Sequence, residues 1–228
     1  MKQRFIMVLM MLGWLATGSH ATITITAIYT DNGDEVRKNE SFEAEAPLQT
    51  RFEAEVTEIE AGWTLEWRFT HEGAGGGSSV TRYEDSPEYT FVDAGKTDVK
   101  VYACLNNEHV DSATISVTIY DSILEMPNAF TPNGDGANET YKAKSNHRSI
   151  VEFHAYIFNR WGQKLYEWTD VDGEWDGTYN GHPVKDGVYF VLVNARGADG
   201  KEYKIRRDVN LIRRYNNYSD STGGGGEQ

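Results

Sequence analysis

From residue 22 onward the chain is ruled by a period of two. Ile23, Ile25 and Ala27 alternate with threonines, and Phe52, Ala54 and Val56 with Arg51, Glu53 and Glu55. Trp63, Leu65, Trp67 and Phe69 alternate with Thr64, Glu66, Arg68 and Thr70; Ala113, Ile115, Val117 and Ile119 alternate with Thr114, Ser116, Thr118 and Tyr120. This pattern turns one face of a strand to a core and the other to water, whereas a helix needs apolar residues every three to four positions. Breakers part the runs at Asn32-Gly33, among the glycines from Gly73 to Gly77, at Ser86-Pro87 and at Ala94-Gly95. No convincing amphipathic helix intervenes. Short strands between turn signals predict an all-β chain built as two consecutive immunoglobulin-like β-sandwich domains.

The first 21 residues follow another pattern. Lys2 and Arg4 precede an apolar run over 5–15, and Ser19-His20-Ala21 offers small residues at the −3 and −1 positions of a cleavage site. This predicts a cleaved signal peptide over residues 1–21 and therefore export. The run falls short of the roughly 20 residues of a membrane span. No cysteine follows it for lipid attachment, and no second apolar run reaches spanning length, so the mature chain is expected to have no transmembrane segment. The single cysteine, Cys104, excludes an intramolecular disulfide framework. Its strand-like surroundings predict a buried, inert thiol, with no base near it in the sequence.

Charge divides the chain. It carries 35 acidic residues against 22 Lys and Arg, a net charge of −13. That excludes the basic face a nucleic-acid partner requires. Residues 22–121 hold 20 acids and 7 bases, whereas residues 122–215 hold 13 of each. The break predicts an acidic domain over 22–121, a neutral one over 122–215, and a disordered glycine-rich tail over 216–228 with Gly223-Gly224-Gly225-Gly226. Outward acids such as Glu53, Glu55 and Glu66 read as a solvated face, with a cation-binding or receptor-repelling face as the alternative.

The neutral half carries separated blocks of turn chemistry. The first runs from Pro127 and Asn128 through Phe130, Pro132, Asn133, Gly134, Asp135, Gly136 and Asn138 to Tyr141. Its prolines fix φ, its glycines permit positive φ, and its Asn and Asp side chains can bond nearby amides. Then come Asn159-Arg160-Trp161-Gly162, Trp175-Asp176-Gly177, Gly187-Val188-Tyr189 and finally Leu211-Ile212-Arg213. Physically these are strands joined by Asp-Gly and Asn-Gly hairpins. In this order, over residues 124–214, they resemble the gliding-motility-associated C-terminal domain of Bacteroidota, the type B sorting domain of the type IX secretion system. The resemblance implies a small β-sandwich that directs its cargo across the outer membrane, with the secretion machinery as partner and the cell surface or medium as destination. Glu139 stands where that family usually has aspartate, and Arg207-Asp208 where a glycine is common.

The acidic half resembles a PKD-type immunoglobulin-like domain over residues 62–119. The matching stretches are Glu66-Trp67-Arg68-Phe69, Ser86-Pro87-Glu88-Tyr89-Thr90-Phe91 and Ala94-Gly95 before Val99-Lys100-Val101. The family's short Gly-Asp-Gly turn is replaced here by a longer glycine-rich loop. That loop lacks a Gly-Lys-Ser/Thr ending and a following helix, so it reads as a hairpin loop and not a phosphate cradle.

No catalytic spacing of His, Cys, Ser or carboxylates emerges, and a non-enzyme is expected. No cofactor is called for, with calcium as the one possibility: Asn133, Asp135, Asn138 and Glu139 place oxygen donors within seven residues. The alternative there is a turn that caps its own backbone. Asp121-Ser122-Ile123 resembles a short O-glycosylation signal of Bacteroidota, and its place in the linker suggests accessibility. Functionally, the first reading is an exported surface or secreted protein delivered by its sorting domain. The alternatives are an adhesin or a glycan- or protein-binding module using the acidic domain, with Tyr29, Tyr83 and Tyr120 as pattern-based contacts, or a small surface hydrolase.

Overall fold

The computed structural model describes residues 22–57, 62–72 and 77–213. The expected signal peptide, residues 73–76 of the glycine-rich loop and the tail from 214 onward lie outside the described residues. What is described is all-β, in sandwich-like layers, without a helix.

The acidic half contributes β1 (Thr22–Asp31), β2 (Asp34–Lys38), β3 (Phe42–Ala44), β4 (Leu48–Thr57), β5 (Thr64–Glu72), β6 (Ser78–Arg82), β7 (Glu88–Phe91), β8 (Gly95–Leu105) and β9 (Glu108–Ile119). A four-stranded sheet in the order β2-β1-β4-β7 faces a five-stranded sheet in the order β3-β9-β8-β5-β6. The alternating residues turn inward: Ile23, Ile25, Ala27 and Phe52 from one sheet meet Leu65, Trp67, Phe69, Val99, Val101, Ile115 and Val117 from the other. Phe52 lies at the centre, its ring 5.5 Å from Phe69 and 6.2 Å from Trp67.

The neutral half contributes β10 (Ala129–Phe130), β11 (Ile150–Phe158), β12 (Lys164–Trp168), β13 (Thr178–Tyr179), β14 (His182–Pro183), β15 (Gly187–Gly197) and β16 (Glu202–Leu211). One five-stranded sheet, β10-β16-β15-β11-β12, forms its first layer. The layer over it is not a second ladder. It consists of irregular segments, the short hairpin β13-β14, and two isolated bridges, Ile123 with Arg148 and Tyr141 with Trp175. Prolines without N–H groups and residues at positive φ (Gly134, Gly136, Asn138, Gly177) prevent a continuous ladder there.

The halves meet through backbone and small side chains. The Ala46 amide donates to the Ser149 hydroxyl at 3.2 Å, and the Ala94 amide donates to the Ala198 carbonyl at 2.9 Å. Ala198 is buried within the apolar cluster of the acidic half. Ser122 lies beside this junction and corrects the expectation of an accessible glycosylation site. It is 5% exposed. Its hydroxyl bonds Asp199 Oδ1 at 2.7 Å and lies 2.9 Å from the Tyr203 hydroxyl. The space exists because residue 197 is glycine; a Cβ there would lie 2.0 Å from Ser122 Oγ.

Candidate functional site

The turn blocks of the neutral half converge on one end of its sheet. Trp175 is fully buried and donates its indole N–H to the Thr178 carbonyl at 2.8 Å. Phe130, from the first block, packs 5.4 Å from Trp175 and 5.9 Å from Tyr141. Tyr189, from the fourth, meets Trp175 edge-on at 5.4 Å. Tyr141 exchanges both backbone hydrogen bonds with Trp175 and donates its hydroxyl to the Pro127 carbonyl at 3.0 Å. Burial pushes the Tyr141 phenol above its ordinary range, so it stays a neutral donor.

Arg213 ties the last block to the third and fourth. Its guanidinium donates to the carbonyls of Val184 and Gly177 and to Asp186 Oδ1. Gly177 has φ +78°, and a Cβ there would come within 3.0 Å of both Arg213 Nη2 and Leu211 Cδ1. Asp176 closes the same turn by accepting from the Thr178 amide at 2.9 Å. Asn128 joins through its carbonyl, which accepts from the Asn210 amide at 2.9 Å. The blocks are thus the clasps of the irregular layer, brought together from positions up to about 80 residues apart by β10 pairing in parallel with β16.

The first block's polar residues bond one another and their own backbone. The Asn133 side-chain oxygen accepts from the Asp135 amide at 3.1 Å. Asp135 Oδ1 accepts from the Ala137 amide at 2.8 Å, and Glu139 accepts from the amides of Gly134 and Gly136 at 3.0 and 2.9 Å. Hydrogen bonds from Ala137 and Asn133 hold the Asp135 carboxyl below its usual range. Asn138 sits at φ 52° and gives its carbonyl to the Thr131 amide. This geometry favours the self-capped turn over a ready calcium cage, since the carboxylate oxygens already face donors.

The second block is a surface knob. Asn159 Oδ1 accepts from the amides of Trp161 and Gln163, closing the turn between β11 and β12 with Gly162 at φ 80°. Trp161 is left 78% exposed, with the Arg160 guanidinium 4.7 Å from its ring centroid.

Two features escaped sequence reasoning. One is the outward face of the carboxy-terminal sheet, where polar residues belong. Phe158 lies opposite Phe190, and Tyr156 opposite Leu192. Phe190 and Val188 remain 45% and 49% exposed. Arg206 and Asp208 border this shallow apolar depression. A simple signal was present: residues 188–193 are apolar without alternation, as a strand apolar on both faces would be.

The other lies on the outer face of the acidic half. Cys104 is buried as expected, yet the base missing from its sequence neighbourhood is supplied by the fold. Its thiol sulfur, a Glu66 carboxylate oxygen and a His109 ring nitrogen lie within 4.8 Å of one another. Pairing of β5 and β9 on either side of β8 makes neighbours of residues 38 and 5 positions away in the chain. Burial, reinforced by Glu66, pushes the thiol up from its ordinary range. Of the three tyrosines expected as binding contacts, Tyr83 is 72% exposed. Tyr29 stacks on Phe42, and Tyr120 donates to Glu43 beneath the Arg148 guanidinium.

Residues 124–206 match the family model of the CHU_C type IX secretion signal domain. That stretch is a type IX secretion signal domain, which implies engagement with the secretion machinery and export to the outer-membrane surface or extracellular space. No curated protein matches the chain. Among solved structures, dimeric latent PorU from Porphyromonas gingivalis is similar at 12% identity over 85% of this chain, with a TM-score of 0.28. A tetra-tandem repeat from the extending region of a large adhesion protein is similar at 13% identity over 83% of this chain, also with a TM-score of 0.28. The chain spans 20% of the PorU chain and 66% of the adhesion-protein chain. Among the described residues no helix is long and apolar enough to cross a membrane.

Proposed function

We propose that this chain is a non-enzymatic surface or secreted protein in which a PKD-like acidic module, residues 22–121, is cargo for the carboxy-terminal sorting domain. In this reading a cleaved signal peptide carries it across the inner membrane of a Bacteroidota cell, and the sorting domain then presents it to the outer-membrane machinery. The observation that carries the reading is the apolar outer face of β15 and β11. The sheet's core lies on its other side, so Phe158, Val188, Phe190 and Leu192 are not needed to hold the domain together. An exposed apolar strip is retained at a hydration cost unless a partner covers it, which returns about 25 cal/mol per Å². Trp161 adds a projecting anchor at one end of β11.

The test is export. Deleting residues 124–228 is expected to leave the truncated protein in the periplasm, read by protease accessibility in intact cells. Its arrival at the surface or in the medium would refute the sorting role. In the full-length chain Phe190→Thr is expected to reduce surface protein with only a small change in melting midpoint, because the side chain lies outside the core and threonine suits a strand.

A further inference from the structure

The Glu66, Cys104 and His109 cluster combines three donor types, a thiol, an imidazole and a carboxylate, within 4.8 Å of one another. Glu66 extends from β5, Cys104 from β8 and His109 from β9. Cys104 faces outward by the ordinary alternation of β8, and the irregular register between Ala103 and Cys104, which leaves Val110 of β9 unpaired, places His109 opposite it. His109 Nε2 lies 3.3 Å from Glu66 Oε2. That is about the separation of two ligands sharing a metal at bond lengths near 2.0–2.2 Å.

The surroundings hold the donors in place. The His109 ring stacks on Tyr102 with centroids 4.1 Å apart, which limits its rotation. The Arg68 guanidinium donates to Glu66 Oε1 at 2.6 Å, leaving Oε2 for the cluster. A hydrogen-bonded outer oxygen is the usual support of a metal-binding carboxylate. Thiolate and carboxylate together offset the charge of a divalent ion.

We infer that Glu66, Cys104 and His109 form a binding site for a thiophilic divalent cation of the zinc class. Sulfur and imidazole donors select zinc or its neighbours over calcium and magnesium, which take oxygen ligands. On binding, the thiol releases its proton to solvent and the ion sheds waters for the three protein ligands, keeping one exchangeable position. The metal crosslinks three strands of one sheet, and the site is independent of the sorting function.

Cobalt(II) is the probe, added to the full chain kept reduced by a phosphine. One equivalent is expected to bind and to produce a sulfur-to-cobalt charge-transfer band, with zinc displacing it. Cys104→Ser is expected to abolish the band, and His109→Ala to weaken zinc by at least about tenfold. His154→Ala, in the other half, should change neither. Absence of the band in the parent protein, or its survival in Cys104→Ser, would overturn the assignment. If Cys104→Ser fails to fold by circular dichroism, His109→Ala decides by the same criterion: unchanged zinc affinity refutes the site and weakened affinity supports it.

Discussion

Trp67 and Trp175 are both fully buried, and each donates its indole N–H to a backbone carbonyl, Glu84 at 3.1 Å and Thr178 at 2.8 Å. Their surroundings differ. Trp67 lies within β5, flanked by β6 and β8, so its backbone sits in a ladder on both sides. Trp175 lies in no strand and shares a single bridge with Tyr141. In the acidic half the ladders hold the side chains. In the irregular layer of the neutral half the side chains hold the backbone, through Arg213, Asp176 and Tyr141. A layer built the second way depends on individual residues, which is why its sequence is a string of specific blocks instead of a generic alternation.

The largest expected effect tests that contrast directly. Trp67→Ala and Trp175→Ala should each cost about 3–5 kcal/mol. They should differ in where the loss appears. In Trp175→Ala the amides of Tyr141 and Val184, bonded to the Trp175 and Gly177 carbonyls, should exchange with solvent early while β15 stays protected. In Trp67→Ala protection should fall across both sheets together. Indistinguishable exchange patterns in the two variants would erase the distinction between the halves.

A smaller effect separates two glycines of similar backbone. Gly33 (φ +89°) turns the β1–β2 hairpin with open space around it, whereas Gly177 (φ +78°) is hemmed in by Arg213 and Leu211. Gly33→Ala should cost about 1 kcal/mol, the penalty for a side chain at positive φ. Gly177→Ala should cost about 2–3 kcal/mol, because the guanidinium must also move. Denaturant midpoints read both, and equal costs would show that Arg213 yields freely.

The smallest effect concerns acid. Burial alone would raise the Asp199 carboxyl, but bonds from the Ser122 hydroxyl and the amides of Lys201 and Ser122 bring it below its ordinary range. A depressed folded value means the contribution is present above the unfolded value, near 4, and is lost as pH falls below it. Stability should therefore decline below about pH 4, and Asp199→Asn should make that decline shallower. An unchanged acid slope would remove Asp199 from the account of the junction. Asp98, lowered by the Ser116 hydroxyl and Lys96 within one sheet, serves as the comparison in the acidic half.

Much of this was legible beforehand, unevenly. The alternation at Phe52, Trp67 and Val117 identified the core of the acidic half, because period two translates directly into burial when both sheets are regular. Turn blocks identified the carboxy-terminal family and the positive-φ glycines. The blocks did not reveal that Arg213 would grip Gly177 and Asp186, since nothing local links residue 213 to residue 177. The linker reading of Ser122 failed for a related reason: a short hydrophilic triplet looks exposed until Gly197 and Tyr203 are folded over it. The Cys104 reading was right about burial and blind to Glu66 and His109, which strand pairing brings in from elsewhere.

The sequence alone determined that this chain is all-β, where many of its turns lie, which half is acidic, and which stretch carries the secretion signal. Those properties follow from neighbours along the chain, through pleat, φ restriction and composition. Only the tertiary structure decided which outward residues stay apolar on the carboxy-terminal sheet, how the two halves abut through Ala46, Ser149, Ala94 and Ala198, and that Glu66, Cys104 and His109 share one spot. These depend on strand order and register, which couple residues distant in sequence and leave no periodic trace in it.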